Sequence, residues 1–219
     1  MIKELLGSAA LLIATGANAG LIAEYDFDSA SGTTQGATTV GAGFTATDLE
    51  LNNADNSSAA FSNHFYHNGW DSGLNTNKYY ELTVGSLSLS FIIDEIAFSL
   101  EELGGSPSDW FFRTSLDGFS SDFASGSFGG GQVTNFSIDA TSLGVVSSPI
   151  TFRWYLTADN LSERAGFANH DCPVGAGCGL SDAGQDLSIL GQIVTVPEPA
   201  SVAFLGLGLV GLLYSRKRK

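Results

Sequence analysis

The sequence predicts an all-β fold, an antiparallel β-sandwich or jelly roll, with a signal peptide before it and a single transmembrane helix after it. Three observations predict this architecture. Short segments rich in β-branched and aromatic residues recur through residues 20–195, clusters of Gly, Ser, Asn and Asp separate them, and an apolar run stands near each end of the chain. Such punctuated strands are typical of two packed antiparallel sheets. The chain divides into a signal peptide at 1–19, one domain at 20–195 and a C-terminal signal at 196–219.

Residues 1–19 have the pattern of a secretory signal peptide. Lys3 supplies a positive charge, residues 5–14 are apolar, and Ala17 and Ala19 place small residues where signal peptidase requires them. We expect cleavage after Ala19 and export of the rest of the chain.

Residues 20–195 suit a single domain with a sizeable core. They contain no convincing helical period, and no internal repeat indicates a β-solenoid. The segments with a strand pattern include 22–27, 79–84, 87–93, 96–100, 110–115, 133–138, 150–157 and 187–196. Strands of this number and length favour a two-sheet sandwich.

The charge of the chain limits its partners. The formal net charge is −14, and because the C-terminal tail contributes +4, the remainder carries −18. The cations of residues 20–195 are Lys78, Arg113, Arg153 and Arg164. Phosphate backbones and anionic lipid surfaces repel such a body, so we expect no nucleic-acid partner. Divalent cations and neutral glycans remain compatible with this charge.

The C-terminal segment places three features in a fixed order. A tripeptide of Pro197, Glu198 and Pro199 comes first, an uncharged apolar run at 200–214 follows, and the chain ends in cations. As a helix the run spans about 22 Å, which is short for a hydrocarbon core of about 30 Å but can be accommodated by local thinning. The cationic end favours a cytoplasmic tail. The basic residues are Arg216, Lys217, Arg218 and Lys219.

This order of tripeptide, apolar helix and basic end resembles the PEP-CTERM sorting signal of Gram-negative bacteria. The resemblance implies that exosortase, a membrane-embedded cysteine protease, recognises Pro197, Glu198 and Pro199 and cuts nearby. It also implies transient residence in the inner membrane with the body in the periplasm, followed by delivery to the cell surface or extracellular matrix. The alternative is a permanent single-helix anchor without processing.

The body is also similar to the β-sandwich domains that PEP-CTERM proteins often carry. The similarity lies in Tyr79–Val84, Trp110–Phe119 and Asp186–Gly191. It implies a sandwich and brings no catalytic residues with it. The chain departs from those domains at Glu101 and Glu102, where they usually carry basic residues.

Cys172 and Cys178 are the two cysteines of the chain and bracket a short loop. In an exported protein we expect them to form a disulfide. Closing so small a loop stabilises by about 2 kcal/mol, so the bond would mainly stiffen the loop. The neighbouring His170 and Asp171 leave a zinc site as the alternative.

Calcium is the metal that best suits an acidic exported sandwich, since it accepts oxygen ligands in irregular geometry. If the first and last strands pair, Glu24, Asp26 and Asp186 converge at one sheet edge. The alternative is that these carboxylates only solvate an edge strand. A second pattern, His64 and His67, is expected to be a pair of exposed loop histidines.

The sequence offers little for catalysis, and we predict that the protein is not an enzyme. It has no Gly-x-Ser-x-Gly elbow, no phosphate loop and no His-Glu-x-x-His. Glycoside hydrolysis requires two carboxylates that face each other across a cleft. Adjacent pairs such as Glu101 and Glu102 would split across the two faces of a strand, and an acidic surface produces such pairs by chance.

Glycan contact would depend on exposed aromatic side chains, which stack on the apolar faces of sugars. The candidates are Trp70 with Tyr66, and Tyr155 beside Arg153, although Trp70 fits the core equally well. Trp110 and Trp154 lie inside apolar strands and are expected in the core.

Together these patterns predict an exported, non-catalytic protein of the cell surface or extracellular matrix, associated with exopolysaccharide in a biofilm. A discrete carbohydrate-binding module and a carbohydrate-active enzyme are the alternatives. No cofactor other than Ca²⁺ is expected.

Overall fold

A computed structural model describes residues 19–28, 32–54, 64–87, 90–103, 107–129, 133–169 and 184–194. Of the described residues, 58% lie in strands and 4% in helices, and the strands form two antiparallel sheets, which confirms the predicted all-β class. Residues 1–18 and 195–219, with the predicted signal peptide and C-terminal helix, lie outside the described residues, as do Cys172 and Cys178. Within the described ranges, no helix has the length and apolar character needed to cross a membrane.

The described residues form fifteen strands and two short 3₁₀ helices. The helices are Ser115–Asp117 and Thr141–Leu143. The strands are β1 (Gly20–Tyr25), β2 (Thr34–Gln35), β3 (Thr39–Val40), β4 (Phe44–Ala46), β5 (Leu49–Asn52), β6 (His64–His67), β7 (Tyr79–Ser86), β8 (Phe91–Glu102), β9 (Pro107–Thr114), β10 (Ala124–Gly129), β11 (Thr134–Asp139), β12 (Val145–Val146), β13 (Ile150–Leu156), β14 (Ala165–Ala168) and β15 (Leu187–Ile193).

The strands are divided between two sheets. Sheet A has the order β3-β1-β15-β8-β14-β6, and β11 and β12 also pair with β8. Sheet B has the order β10-β9-β13-β7-β5-β2, and β4 also pairs with β7. All pairs are antiparallel, and the first strand pairs with the last described one.

Strands β14 and β15 lie end to end along the same side of β8. Leu100 pairs with β11 on one side and with β14 on the other, while Ala97 pairs with β11 and with β15. Because both strands run antiparallel to β8, the chain leaves this line after β14 and rejoins it at β15. The residues at these two ends, Asn169 and Asp186, therefore meet.

Alternation along the strands sends aromatic side chains into the space between the sheets. Trp154 on β13 is fully buried, with ring-centroid distances of 4.8 Å to Phe112, 5.5 Å to Phe167 and 6.0 Å to Phe98. Trp110 is 3% exposed. The prediction that both tryptophans lie in the core is confirmed, and each such buried ring stabilises the fold by roughly 1.5–3 kcal/mol.

The two histidines of β6 were predicted to be exposed loop residues, and that prediction is wrong. His64 and His67 lie on a strand that pairs with β14, so they face opposite sides of sheet A. His67 is fully buried and reaches the hydroxyl of Tyr80 across the core. The aromatic residues between them, which suit a half-buried pleated surface, explain why a strand forms here.

Candidate functional site

A cleft opens between β10 and β11, which are edge strands among the described parts of the two sheets. Its volume is about 490 Å³, which lies within the range of pockets that hold small ligands. Residues 123–126 line one side and 136–139 the other, and Trp110 and Ser142 complete the lining. The lining of the cleft therefore combines aromatic side chains with serine hydroxyls from the two strands.

Trp110 supplies the aromatic wall of this cleft. Its ring contacts Phe136 at a T-shaped angle with 5.0 Å between centroids. Gly126, its partner on β10, permits close packing, since a Cβ there would lie 2.8 Å from the indole Nε1. Nε1 has no hydrogen-bond partner among the described residues, so a buried N–H donor lies beside Gly126, which itself lines the cleft. Such a donor costs free energy until an acceptor meets it.

Polar groups accompany the aromatic wall. The Ser137 hydroxyl donates to Glu95 Oε1 at 2.6 Å. Asp139 accepts hydrogen bonds from the Thr141 hydroxyl at 2.6 Å and from the Thr141 backbone N–H at 3.0 Å, and these bonds lower the pKa of its carboxyl group. Asp139 is therefore ionised at neutral pH and can accept further hydrogen bonds from a ligand.

Three predicted glycan-contacting aromatic residues are buried, which corrects the exposure assumed for them. Trp70 is fully buried, and its Nε1 donates to the Ala165 carbonyl at 3.0 Å. Tyr66 is 3% exposed and Tyr155 is 1% exposed. Their rings pack on protein neighbours on the folded sheets, so they present no free face on which a sugar could stack.

Arg153, the fourth predicted glycan contact, is committed to contacts within the protein. Its guanidinium carbon lies 4.1 Å from the ring centre of Tyr79 and 3.8 Å from that of Phe119, and its Nε donates to Glu81 Oε2 at 2.6 Å. These contacts hold the half-buried Arg153 side chain against the outer face of sheet B and stabilise the sheet. The cleft is therefore a better candidate for ligand contact than Arg153.

The predicted acidic cluster is partly assembled by the pairing of β1 with β15. Tyr25 pairs with Leu187, so Asp26 and Asp186 are neighbours, and Glu24 shares their face of the sheet. Within the described residues, no group of three or more His, Cys, Asp or Glu side chains could hold a metal ion. The three-carboxylate site with Glu24 as a ligand is thus not formed, because Glu24 lies one pleat farther along the strand.

Asn169 lies between the two aspartates. Its Nδ2 donates to Asp186 Oδ1 at 2.5 Å and to Asp26 Oδ1 at 3.1 Å. Burial raises the pKa of Asp186, and the charges of Asp26, Glu24 and Asp28 add to the rise, while the Asn169 hydrogen bond opposes it. The Asn169 amide donor therefore offsets part of the repulsion between the two neighbouring carboxylates. Nothing in the local sequence identified Asn169, which reaches this position only through the strand order.

Two glutamates expected on an acidic surface are buried instead. Glu101 is 4% exposed and Glu102 is fully buried. The His64 Nε2 atom lies 2.8 Å from Glu101 Oε2, and the His64 ring contacts that of Tyr66 at 4.8 Å. Burial, followed by the charge of Glu101, raises the pKa of Tyr66 to about 12. Glu101 and Glu102 face opposite sides of β8, as adjacent residues of a strand must.

The comparisons with known proteins concern the end of the chain. Residues 195–219 match the family model of the PEP-CTERM protein-sorting motif, which confirms the resemblance drawn from Pro197, Glu198 and Pro199. A search of curated proteins found no match to this chain. The motif implies that the protein is exported. It is the sorting motif of exosortase substrates, and it therefore implies exosortase-dependent processing with a transient membrane anchor before that step.

Proposed function

We propose that the body is a non-catalytic protein of the cell surface or extracellular matrix that associates with exopolysaccharide in a biofilm. We further propose that the cleft between β10 and β11 is its contact with the glycan. The observation that carries this proposal is the unpartnered Nε1–H of Trp110 beside a cleft with aromatic and hydroxyl-bearing walls. Phe123 and Phe136 line the cleft and are only partly buried, so they offer ring surface to the apolar face of a sugar, while sugar hydroxyls offer acceptors to the donor.

The charge of the protein favours a neutral glycan over an acidic one. The chain without its basic tail carries −18, and Asp139 adds an ionised carboxylate at the cleft itself. A carboxylate accepts hydrogen bonds from sugar hydroxyls, whereas it repels uronate and sulfate groups. We therefore assign neutral polysaccharide as the ligand class.

The cleft supports binding better than hydrolysis. Asp139 is the single carboxylate in the described lining of the cleft. Glycoside hydrolysis generally requires a second carboxylate about 5–10 Å away across the scissile bond. This lining favours association without cleavage over a carbohydrate-active enzyme. Loss of chain length in matrix polysaccharide incubated with the purified protein would contradict the proposal.

A pair of matched substitutions tests the glycan contact. Trp110→Phe removes the Nε1 donor and keeps an aromatic ring, so we expect neutral-oligosaccharide binding to weaken at least tenfold while the fold is retained. Trp154→Phe is the control, because the Trp154 Nε1 is also buried without a partner among the described residues, yet Trp154 does not line the cleft. Isothermal titration of the exported protein with a panel of neutral oligosaccharides measures both effects.

The outcomes separate the remaining alternatives. Saturable binding that Trp110→Phe abolishes and Trp154→Phe leaves intact supports a discrete carbohydrate-binding module at the cleft. Equal binding by both variants places the contact elsewhere. The absence of binding across the panel removes the glycan proposal and leaves a matrix protein held by protein contacts.

A further inference from the structure

We propose that one end of the sandwich rests on a zwitterionic lipid bilayer while the tail anchors the chain. This surface, the exit end, lies where β1 begins and β15 stops, and it consists of residues 20–21, 41–44, 86–87, 90–92, 145–149 and 191–194. The contact depends on the transient membrane anchor that the sorting motif implies, and it involves no residue of the glycan cleft.

Both ends of the folded body lie at the exit end. Gly20, the first residue of β1, pairs with Gly191 near the end of β15. Val194, the last described residue, donates its backbone N–H to the Ser90 carbonyl oxygen at 2.8 Å. The chain therefore leaves the body at the exit end on its way to the sorting motif.

The tether between the body and the apolar run is short. Residues 195–199 separate Val194 from the run at 200–214. At about 3.5 Å per residue, this segment reaches about 20 Å at full extension. Strand β8 has 12 residues and is therefore about 40 Å long, twice the reach of the tether. With the run in the bilayer, the exit end is held within about 20 Å of the lipid surface.

The sequence segments that meet at the exit end are uncharged. None of them contains Asp, Glu, Lys or Arg, and they comprise residues 40–47, 82–93, 140–152 and 187–197. Phe91 pairs with Val146 and with Ile193, and Phe44 pairs with Ser86, so the second segment contacts the other three. In a body that carries −18, such a surface is the part that a bilayer repels least, and the remaining charge favours zwitterionic over anionic lipid.

The exit end also presents apolar side chains to solvent. Leu87 is 70% exposed and Val145 is 60% exposed. The Leu87 N–H donates to the Gly43 carbonyl at 3.0 Å, which places Leu87 beside an open groove of about 600 Å³ whose lining includes Phe44 and Ile193. Apolar side chains at a protein surface gain free energy when they enter the interfacial region of a bilayer. The short tether keeps them at a high effective concentration there.

Exposed leucines also occur at the opposite end of the sandwich, but in charged surroundings. Leu161 is 59% exposed and lies in the connection from β13 to β14. Asp159 and Glu163 flank it at two residues on either side. Carboxylates so close to an apolar side chain oppose its entry into lipid. Leu161 is therefore a matched control for Leu87.

Fluorescence quenching by brominated lipid tests the contact on the full chain. The chain is reconstituted through its tail into phosphatidylcholine vesicles that carry bromine near the headgroup end of the acyl chains. Leu87→Trp and Leu161→Trp place a new indole at either end of the sandwich, whereas Trp70, Trp110 and Trp154 are buried away from the quencher. We expect the fluorescence added by Leu87→Trp to fall at least twofold and that added by Leu161→Trp to stay unchanged. Equal quenching of both, or no quenching in Leu87→Trp, would overturn the proposal.

A second set of variants separates contact from proximity, because the tether alone brings the exit end near the bilayer. Val145→Trp reports from β12. In combination with Leu87→Glu, we expect its quenching to fall at least twofold, since a charge replaces a side chain that enters the lipid. In combination with Leu161→Glu, its quenching should be retained. Equal quenching in the two combinations would show proximity without contact and would refute the proposal.

Val145→Trp without a second substitution repeats the first measurement if Leu87→Trp does not fold. Co-flotation of the chain with the vesicles is measured beside it. A chain that does not co-float lacks the anchor on which the contact depends, and this result would also overturn the proposal. When phosphatidylglycerol replaces half of the phosphatidylcholine, we expect weaker quenching, since the acidic body is repelled. Equal or stronger quenching would refute zwitterionic lipid as the partner.

Discussion

His67 and Tyr80 connect the two sheets through the core: the Nδ1 atom of His67 on β6 lies 3.0 Å from the hydroxyl oxygen of Tyr80 on β7. The Nε2 atom of His67 lies 2.8 Å from the Gly32 carbonyl oxygen. A carbonyl can only accept, so Nε2 carries a proton. Burial lowers the pKa of His67, so the imidazole is neutral at pH 7 and Nδ1 remains an acceptor that faces the Tyr80 hydroxyl.

This relationship predicts that stability depends on pH through His67. Burial lowers the pKa of His67 below its ordinary value of 6.5, although the Gly32 hydrogen bond opposes the shift. On acidification the unfolded chain takes up the proton first, so the free energy of unfolding falls as pH drops below about 6.5. Urea unfolding between pH 7.5 and 5.5 should show this fall in the wild type. We expect a flatter profile in His67→Gln, and an unchanged profile would contradict the assignment.

The raised pKa of Asp186 predicts that stability changes with pH in the opposite direction to the effect of His67. Its folded pKa lies above its ordinary value of 3.8, so the stability it contributes is present below pH 3.8 and is lost as pH rises through the folded pKa. Asp186→Asn should therefore raise the free energy of unfolding at pH 7 in EDTA, and the gain should shrink toward pH 4. Denaturant unfolding at both pH values measures the effect.

Asp117 provides the matched control for Asp186→Asn. Hydrogen bonds from Ser121 and Ser120 lower the pKa of Asp117, so its ionised form is the stabilised one. Asp117→Asn should therefore destabilise the protein at pH 7. If both substitutions shifted stability in the same direction, the electrostatic account of Asp186 would be wrong.

The buried position of Trp70 predicts that its substitution strongly destabilises the protein. The side chain is fully buried, contacts the Tyr80 ring at 5.3 Å and donates to the Ala165 carbonyl. Trp70→Ala should lower the free energy of unfolding by about 3–5 kcal/mol through the cavity it leaves. Trp70→Phe should cost about 1–3 kcal/mol, since it mainly removes a buried hydrogen bond. Denaturant midpoints with unchanged m-values measure both, and a cost below about 1 kcal/mol for Trp70→Ala would contradict the buried position.

The sorting motif predicts a defined mature product. In the native host, intact mass should show a chain that begins at Gly20 and lacks residues 200–219. Replacement of Pro197, Glu198 and Pro199 by alanine should leave the tail in place and retain the protein in the membrane fraction. A membrane-bound product with its tail in both strains would instead indicate a permanent anchor, and partners should then be sought in the periplasm.

Local patterns in the sequence were sufficient for the fold class. Alternation in segments such as Trp110–Thr114 shows which side chains face inward, and this pattern survives in the structure because burial acts on each strand separately. The same patterns failed for Trp70 and Tyr66. An aromatic residue in a short polar segment is compatible with either a surface or a core position, and only its neighbours in space decide between them.

The candidate sites depended on contacts between distant residues. Asp26 and Asp186 could be paired in advance only on the condition that the first and last strands are neighbours. Asn169 had no such clue, since it reaches the aspartates because β14 and β15 align along one side of β8. Likewise, Trp110 was predicted as core, yet the cleft beside it exists because β10 and β11 are edges of different sheets.

The sequence by itself determined the sorting signal, the acidic character and the two-sheet class. A recognition motif is read from contiguous residues, and charge and strand periodicity are likewise local or additive properties. The tertiary structure decided which carboxylates are buried, where Asn169 and Trp110 direct unpartnered polar atoms, and that His67 is neutral. These features depend on desolvation and on side chains brought together across 13 to 143 positions of sequence. No local pattern encodes such distances, so the strand order alone creates the sites.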